Sequence, residues 1–344
     1  MRRVLLLAVV LLAPILGAEL AIRGLVAAHR LPAADAHRPD FEITWANLER
    51  EGTADILVLG DSVAQQGIET AVLEKLVGRA AGREVTAFNA ASPGGGIGVN
   101  AAIVEQLARQ GRLPRVLIVG FATGTVSTDI TFHEIFSRTV MGRIFTGCSV
   151  PMPFGEALDC HLSDASYLWR WRGRLPDVLQ AVQRPLPRTD DTDALHLRRD
   201  GFRVGRGRSV TTIERQLERA DLSKRRVQLA SDVRTSWQWL VSVARANGAT
   251  IIPVAIPDTP TMTARMEEVQ PGREELYWDS IATLGEDVDL PFVEVRRFGD
   301  WWGDGMARNF NHLSHAGAKA FTRQLWEVEA FRERLLGGLE AGDP

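Results

Sequence analysis

The fold class of this chain is predicted most clearly by the segment Asp55-Ile-Leu-Val-Leu-Gly-Asp-Ser-Val63. Its run 56–59 is apolar throughout rather than alternating, which is typical of a strand in a parallel sheet that is covered on both faces. Gly60-Asp61-Ser62 follows the run, and helix-like sequence comes after it. Because α/β folds present reactive groups at the carboxyl ends of such strands, we expect Ser62 at the rim of a sheet.

The same rhythm extends outward from this stretch. Further apolar runs at 85–88, 116–119, 250–256 and 291–295 are separated by helical segments. Strands that alternate with helices predict an α/β fold, a doubly wound, flavodoxin-like parallel sheet of about five strands with helices on both faces. Pro253 within the fourth run predicts a strand end or an irregularity there, because proline lacks a ladder donor.

The long segment 127–230 does not continue the rhythm. We interpret it as a large, partly helical insertion that caps the rim of the sheet. It contains the two cysteines, Cys148 and Cys160, which could form a disulfide in an exported chain. Their surroundings match no zinc pattern, so no metal and no other cofactor is expected.

The N-terminus has the pattern of an export or anchoring signal. Met1-Arg-Arg3 precedes fifteen uncharged residues, 4–18, and the apolar character resumes up to Ala28. This predicts a membrane anchor or a cleaved signal peptide at 1–28, a linker at 29–54 and the main domain at 55–344. The two arginines predict that the main domain lies outside the cytoplasm, in the periplasm or at the cell surface.

The charge balance argues against one class of partner. The 344 residues include 40 Lys+Arg and 43 Asp+Glu, so the chain as a whole offers no electrostatic reason to bind nucleic acid. Arginines cluster between 198 and 226, but such a cluster is more often a solvated helix face than a basic patch that binds nucleic acid.

Ser62 is the first candidate for chemistry. A serine hydroxyl becomes a nucleophile when a base takes its proton and backbone donors stabilise the resulting oxyanion. The turn at 60–63 leads into a helix, whose free N–H groups can serve as such donors. The alternative is that Asp61 and Ser62 only cap that helix.

The segment 89–98, Asn-Ala-Ala-Ser-Pro-Gly-Gly-Gly-Ile-Gly, follows the second predicted strand and therefore belongs to the same rim. Glycines allow a close approach of the backbone, so Gly94 or Gly95 could donate a second N–H to the oxyanion. The alternatives are a flexible turn or a dinucleotide site, but the glycine spacing does not match the dinucleotide motif.

His312 is the candidate base. It follows the last predicted strand and precedes the closing helix, so it can face the rim that carries Ser62. It would accept the serine proton and later return it to the leaving group, with a carboxylate orienting its far nitrogen. The alternative is a loop histidine with a structural hydrogen bond.

Together these segments resemble the SGNH (GDSL-like) hydrolase family over about 55–120 and 251–336. The resemblance implies that Ser62 is the nucleophile. It also implies that Gly94, in Asn89-x-Ala91-x-x-Gly94, lends an oxyanion N–H. The last block of the family, Asp-x-x-His, is matched in spacing by Asn309-x-x-His312.

Two departures from the family pattern bear on activity. Gly120-Phe-Ala-Thr123 stands where the family has Gly-x-Asn-Asp, so Ala122 replaces an asparagine donor. Thr123 or Asn89 could then assist the oxyanion. Asn309 replaces the aspartate that orients the histidine, and Asp304 is a candidate substitute.

More narrowly, the N-terminal signal, the Tyr167-Leu-Trp-Arg170 run and the closing helix look like membrane-anchored SGNH proteins of bacterial envelope and exopolysaccharide pathways. This resemblance implies a serine ester hydrolase or O-acyltransferase, active on O-acetyl groups of a carbohydrate or envelope polymer, with a membrane-bound acyltransferase as partner. The alternative is a weak or inactive module that binds a glycan or a partner, with Trp169, Trp171, Trp301 and Trp302 available to stack on sugars.

Overall fold

The computed structural model describes residues 2–27, 39–94, 96–127, 155, 158, 161–162, 165–171, 198, 200–220, 222 and 226–341. The chain divides into two compact units. The first comprises Met1–Ile43 and Ser137–Asp193, and the second comprises Thr44–Phe136 and Ala194–Pro344. Ser62 and His312 both belong to the second unit.

The second unit contains a five-stranded, entirely parallel sheet with the order β2-β1-β3-β4-β5. This is the flavodoxin-like order, and the predicted fold class is confirmed. The strands are β1 (Ile56–Leu59), β2 (Ala87–Asn89), β3 (Val116–Phe121), β4 (Thr250–Ala255) and β5 (Val293–Glu294). Since β1 lies between β2 and β3, its carboxyl end opens where the direction of winding reverses, which is where α/β sheets bind ligands.

Pro253 lies within β4 without ending it. Its register partner is Val119 on β3, whereas β5 pairs only with Val254 and Ala255. No described strand therefore pairs with β4 at Pro253 on the β5 side, so the missing proline N–H breaks no ladder there. The irregularity predicted at this position is absent from β4.

Helices connect the strands and cover the sheet. In the second unit they are α2 (Pro39–Glu51, whose first five residues belong to the first unit), α3 (Ser62–Gly67), α4 (Thr70–Ala81), α5 (Ile97–Arg109), α6 (Thr123–Val126), α8 (Val210–Glu218), α9 (Ser231–Ala246), α10 (Pro260–Val269), α11 (Arg273–Glu286), α12 (His315–Glu327) and α13 (Glu329–Glu340). The first unit holds α1 (Arg2–Ala27) and α7 (Tyr167–Trp171). Helix α2 lies within the segment 29–54 that we predicted as a linker, and its Trp45 and Leu48 are buried.

The core lies on both faces of the sheet, because alternate residues of a strand point to opposite faces. Ile56 and Val116 belong to a cluster with Phe321 of α12 and Phe331 of α13. Their neighbours along the strands, such as Leu57 and Leu117, are equally buried. Phe202, from the segment predicted as an insertion, packs into the same cluster as Phe321.

In the first unit, α1 packs against α7 through Glu19. The Glu19 carboxylate accepts hydrogen bonds from Tyr167 N (3.0 Å), Leu168 N (2.8 Å) and Ser166 Oγ (2.9 Å). It also pairs with Arg23 at 2.7 Å. Burial raises the pKa of Glu19, but these hydrogen bonds outweigh burial and lower the pKa to about 2.

The predicted membrane-anchored localisation is wrong. Within the described residues no helix is long and apolar enough to cross a membrane. Helix α1 contains Pro14, and its second half carries the Glu19–Arg23 ion pair, with Glu19 bonded to a neighbouring protein segment. The predicted Cys148–Cys160 disulfide lies outside the described residues.

Candidate active site

The turn after β1 delivers Ser62 to the rim of the sheet. Gly60 has a φ of 140°, and a side chain there would come within 2.5 Å of the Ala64 Cβ. Only glycine is compatible with this conformation and this contact. Asp61 then caps α3 by accepting a hydrogen bond from Val63 N at 2.8 Å. Ser62 is the first residue of α3 and is half-buried.

His312 reaches Ser62 from a loop 250 residues later in the sequence. Its Nε2 lies 2.8 Å from Ser62 Oγ, within hydrogen-bond distance. The loop precedes α12, which begins at His315 with Ser314 as its cap. A second contact holds the loop, because Thr259 Oγ1 donates to Phe310 O at 2.7 Å.

Asn309 holds the other nitrogen of the His312 ring. Its Oδ1 lies 2.9 Å from His312 Nδ1 and also accepts hydrogen bonds from Asn311 N at 2.9 Å and His312 N at 3.0 Å. Because backbone N–H groups only donate, the atom at this point is the amide oxygen. The His312 Nδ1 therefore carries the proton, and Nε2 presents a lone pair to the Ser62 hydroxyl.

Asp304, the candidate substitute for the orienting aspartate, is bonded elsewhere. Its Oδ1 accepts a hydrogen bond from Val210 N at 2.8 Å, at the first turn of α8. The structure thus gives the orienting contact to Asn309 and a helix-capping contact to Asp304. Free backbone donors at a helix start attract a carboxylate, which explains this placement.

Asn89, proposed as an accessory donor, has its polar side-chain atoms engaged in the scaffold. It is fully buried, and its amide group donates to Ile68 O at 3.1 Å while its oxygen accepts from Ala91 N at 3.1 Å. These bonds connect the end of α3 to the segment after β2. Gly94 follows in a turn with a φ of 65° and is exposed.

Thr123 belongs to a buried polar cluster at the carboxyl ends of β3 and β4. Its Oγ1 donates to Asp258 Oδ1 at 2.8 Å and accepts from Arg273 Nη2 at 2.9 Å. Arg273 also forms an ion pair with Asp258. Ala122, where the resembled family has an asparagine, is buried, and its N–H donates to Thr125 Oγ1 at 3.0 Å.

Burial raises the pKa of two side chains, Asp61 and Tyr277. It raises the pKa of the Asp61 carboxyl, although hydrogen bonds from Val63 N and Thr125 Oγ1 act in the opposite direction. Burial also raises the pKa of Tyr277 well above its usual value. The neutral Tyr277 hydroxyl donates to Phe121 O at 2.8 Å and lies 3.2 Å from Ile256 O, so it connects the ends of β3 and β4.

Two of the tryptophans considered for sugar stacking pack within the protein. Trp302 stacks on Phe298 with ring centroids 5.1 Å apart, and Trp301 donates through Nε1 to Gln324 Oε1 at 2.9 Å. Trp169, in the first unit, is 39% exposed. The side chain of Trp171 lies outside the described residues. In the described part of the chain, no group of three or more His, Cys, Asp and Glu residues is placed so that it could hold a metal ion.

Sequence reasoning missed the residues that hold the loop of His312. Thr259, Arg308 and Gln66 act through contacts between distant segments, which leave no local signal. The role of Asn309 did leave one. Asparagine side chains accept hydrogen bonds from backbone N–H groups two residues onward, and Asn309-Phe-Asn-His312 fits that pattern.

No protein-family model and no curated protein sequence matches the chain. Among solved structures it is similar to TesA, with 13% identity and a TM-score of 0.39 over 80% of this chain and 98% of that chain. It is also similar to a structure described as a platelet activating factor from Streptococcus pneumonia, with 15% identity and a TM-score of 0.37 over 84% of this chain and 89% of that chain. The catalytic roles proposed for Ser62, His312 and Asn309 rest on the geometry of the site.

Proposed function

We propose that this protein is a serine ester hydrolase in which Ser62 is the nucleophile, His312 the general base and Asn309 the residue that orients the base. One observation carries the proposal: a continuous hydrogen-bonded chain from Ser62 Oγ to His312 Nε2 (2.8 Å) and from His312 Nδ1 to Asn309 Oδ1 (2.9 Å). A nucleophile, a base and an orienting group in this order are the signature of covalent acyl transfer.

The proposed reaction has two halves. Ser62 Oγ attacks the ester carbonyl while its proton passes to His312 Nε2, and the tetrahedral intermediate collapses as His312 returns that proton to the leaving alkoxide. Water, activated by His312, then attacks the acyl-enzyme, and the acid is released as His312 returns the water proton to Ser62 Oγ. If an acceptor hydroxyl replaces water, the same steps transfer the acyl group.

The oxyanion donors we propose are the N–H groups of Ser62 and Gly94. Ala122 supplies no side-chain donor, and the polar atoms of Thr123 and Asn89 are engaged in the scaffold. Loss of one oxyanion donor costs about 2.7–4 kcal/mol of transition-state stabilisation in enzymes where this has been measured. We therefore expect a slow hydrolase rather than a fast one.

Asn309 supports activity despite replacing an aspartate. In a serine protease the corresponding Asp-to-Asn change lowers turnover about 10⁴-fold, because it selects the wrong imidazole tautomer. Here two backbone N–H groups fix the Asn309 oxygen toward His312, so the productive tautomer is retained. What Asn309 lacks is the negative charge that would stabilise the imidazolium.

The test is hydrolysis of p-nitrophenyl acetate together with covalent labelling by a fluorophosphonate. We expect Ser62→Ala to abolish labelling and to lower kcat/KM by about 10³-fold or more. His312→Ala should lower kcat/KM by a similar factor. Ser242→Ala, at an exposed serine of α9, is the matched control and should behave as wild type. Equal labelling of Ser62→Ala and wild type would refute the proposal.

For the substrate, we propose O-acetyl esters of a carbohydrate or envelope polymer. The support for this substrate class is the resemblance of the Tyr167-Leu-Trp-Arg170 run and of the helix after His312 to SGNH proteins of envelope and exopolysaccharide pathways. Acetate release from acetylated xylan, compared with acetyl transfer to added xylo-oligosaccharides, separates hydrolysis from transfer. If the protein hydrolyses p-nitrophenyl acetate but releases no acetate from any acetylated glycan, the proposed esterase activity is retained and this substrate class is excluded.

A catalytically inactive binding module is the second candidate. It is favoured by Ala122, which removes a donor from the oxyanion site, and by the missing charge at Asn309. This module would bind an acetylated glycan equally well with and without the Ser62 hydroxyl, and wild type would not react with a fluorophosphonate.

A further inference from the structure

Arg308 connects the loop of His312 to the helix of Ser62. Its backbone N–H donates to His312 O at 2.8 Å, and its Nη1 donates to Gln66 Oε1 at 2.8 Å. Gln66 lies on α3, one turn after Ser62, and its Nε2 donates to Ser62 O at 3.3 Å. Arg308 and Gln66 thus join the main chains of the two reacting residues across 242 positions of sequence.

Both side chains of this connection, Gln66 and Arg308, are held in defined positions. Gln66 is buried, with 2% of its surface exposed. Water therefore cannot replace Arg308 as the hydrogen-bond partner of the Gln66 amide without a cost in free energy. The stem of Arg308 passes over Gly205, where an added Cβ would come within 2.8 Å of the Arg308 Cδ. Gly205 therefore leaves the space through which the guanidinium reaches α3.

The two reacting residues need such a connection. Ser62 begins a helix of six residues, and His312 lies in an irregular loop, so neither segment is held in place by a long regular element. Their separation of 2.8 Å must nevertheless be maintained for proton transfer. A misplacement of about 1 Å can cost about 10²-fold in rate.

We propose that Arg308 is a positioning residue that acts through Gln66 to keep His312 Nε2 in register with Ser62 Oγ. The inference rests on the proposed function and extends it to a residue pair outside the Ser–His–Asn chain. Arg308 touches no reacting atom in this role, and it sets the geometry of the groups that do.

The test is a double-mutant cycle on p-nitrophenyl acetate hydrolysis with Arg308→Ala, Gln66→Leu and the double variant. Each single variant should lower kcat about 10- to 100-fold with a change in KM of less than about threefold, because positioning affects the transition state of a small substrate more than its binding. The double variant should lose little more than either single variant, since both remove the same connection.

Three further variants sharpen the test. Gln66→Glu keeps the oxygen acceptor for Arg308 but loses the Nε2 donor to Ser62 O, so its kcat should fall between those of wild type and Gln66→Leu. Gly205→Ala should lower kcat by displacing the arginine stem, and it should have little further effect in the Arg308→Ala background. Arg206→Met, at an exposed arginine, is the control and should have the kcat of wild type.

The outcome is read against two independent measurements. Urea unfolding of each variant shows whether a loss of kcat is only a loss of folded protein, and the ¹⁵N NMR signals of the His312 ring report its hydrogen bond to Ser62 without any turnover. Additive losses in the cycle, or wild-type ring signals in Arg308→Ala, would overturn the positioning role. Absence of Ser62 labelling in wild type would instead remove the proposed function, and the ring signals would still test the connection.

Discussion

Asn309 is the residue on which the proposed activity depends most directly after Ser62 and His312. Its oxygen accepts from two backbone N–H groups as well as from the imidazole, so it is fixed before any substrate arrives. The arrangement separates two tasks that an aspartate would combine, namely selecting the tautomer and stabilising the imidazolium. Asn309 performs the first and leaves the second to the surroundings.

Two substitutions at this residue test that division. Asn309→Ala should lower kcat/KM about 10³- to 10⁴-fold, the scale seen when a serine triad loses its productive tautomer. Asn309→Asp keeps the three acceptor contacts and adds a negative charge, so its kcat should equal or exceed that of wild type. Steady-state kinetics on p-nitrophenyl acetate decide the matter, and a wild-type rate in Asn309→Ala would show that Asn309 does not orient the base.

Asp61 gives a pH prediction at the same scale. Its pKa is raised in the folded protein, chiefly by burial, so the contribution of Asp61 to stability is complete below its unfolded value and is lost as the pH rises through the folded value. Asn at this position still caps α3 and cannot ionise.

We therefore expect Asp61→Asn to gain stability relative to wild type as the pH rises from about 4 to 7. Urea unfolding at both pH values measures the difference, and the comparison with wild type cancels the titration of all other groups. A relative stability that falls over this interval would show that the ionised carboxylate is the favoured form in the folded state.

At the scale of elements, Glu19 shows how one carboxylate can join two helices of the first unit. It accepts hydrogen bonds from the N–H groups of Tyr167 and Leu168 at the start of α7, where the helix dipole also favours a negative charge. Its pKa falls to about 2, so its stabilising contribution is present above the ordinary glutamate value and is lost as the pH falls through about 2.

Glu19→Gln should accordingly increase hydrogen exchange at the Tyr167 and Leu168 amides at neutral pH, because a neutral acceptor holds these donors less tightly. Glu51→Gln, at a half-exposed glutamate at the end of α2, is the control. Unchanged protection in Glu19→Gln would mean that this contact does not hold α7 to α1.

Considered over the whole molecule, helix α13 belongs to the core of the second unit and supplies none of the candidate site residues. Phe331, Leu335 and Leu339 of α13 are buried against the same cluster as the strands. The sheet therefore depends on α13 for part of one of its covered faces.

Phe331→Ala should destabilise the protein by about 3–5 kcal/mol, the usual cost of removing a buried phenylalanine. Below the unfolding transition, kcat on p-nitrophenyl acetate should stay at the wild-type value, since the Ser62–His312 contact uses other elements. Denaturant unfolding monitored beside activity separates the two effects. A kcat that falls while the protein remains folded would connect α13 to the site.

Local sequence was sufficient for the fold class, and it singled out Ser62 and His312 as candidates, whose side chains lie 2.8 Å apart in the structure. The run before Gly60 predicted β1, because a strand buried on both faces must be apolar throughout, and the fold class is confirmed by the parallel sheet. Local pattern misled at the N-terminus. The apolar run of α1 predicted a membrane anchor, whereas in the structure Glu19 of that helix is bonded to α7.

The residue types at the rim of the sheet follow from local sequence, because burial, helix capping and turn formation each favour particular residues at particular positions. Which of these residues meet depends on the packing of distant segments. This packing brought His312 to Ser62, fixed the oxygen of Asn309 toward the imidazole, gave Asp304 to the start of α8 and connected Arg308 to Gln66. The physical reason is that hydrogen bonds extend about 3 Å and require a set direction, so their partners are selected by how distant segments pack rather than by any spacing along the chain.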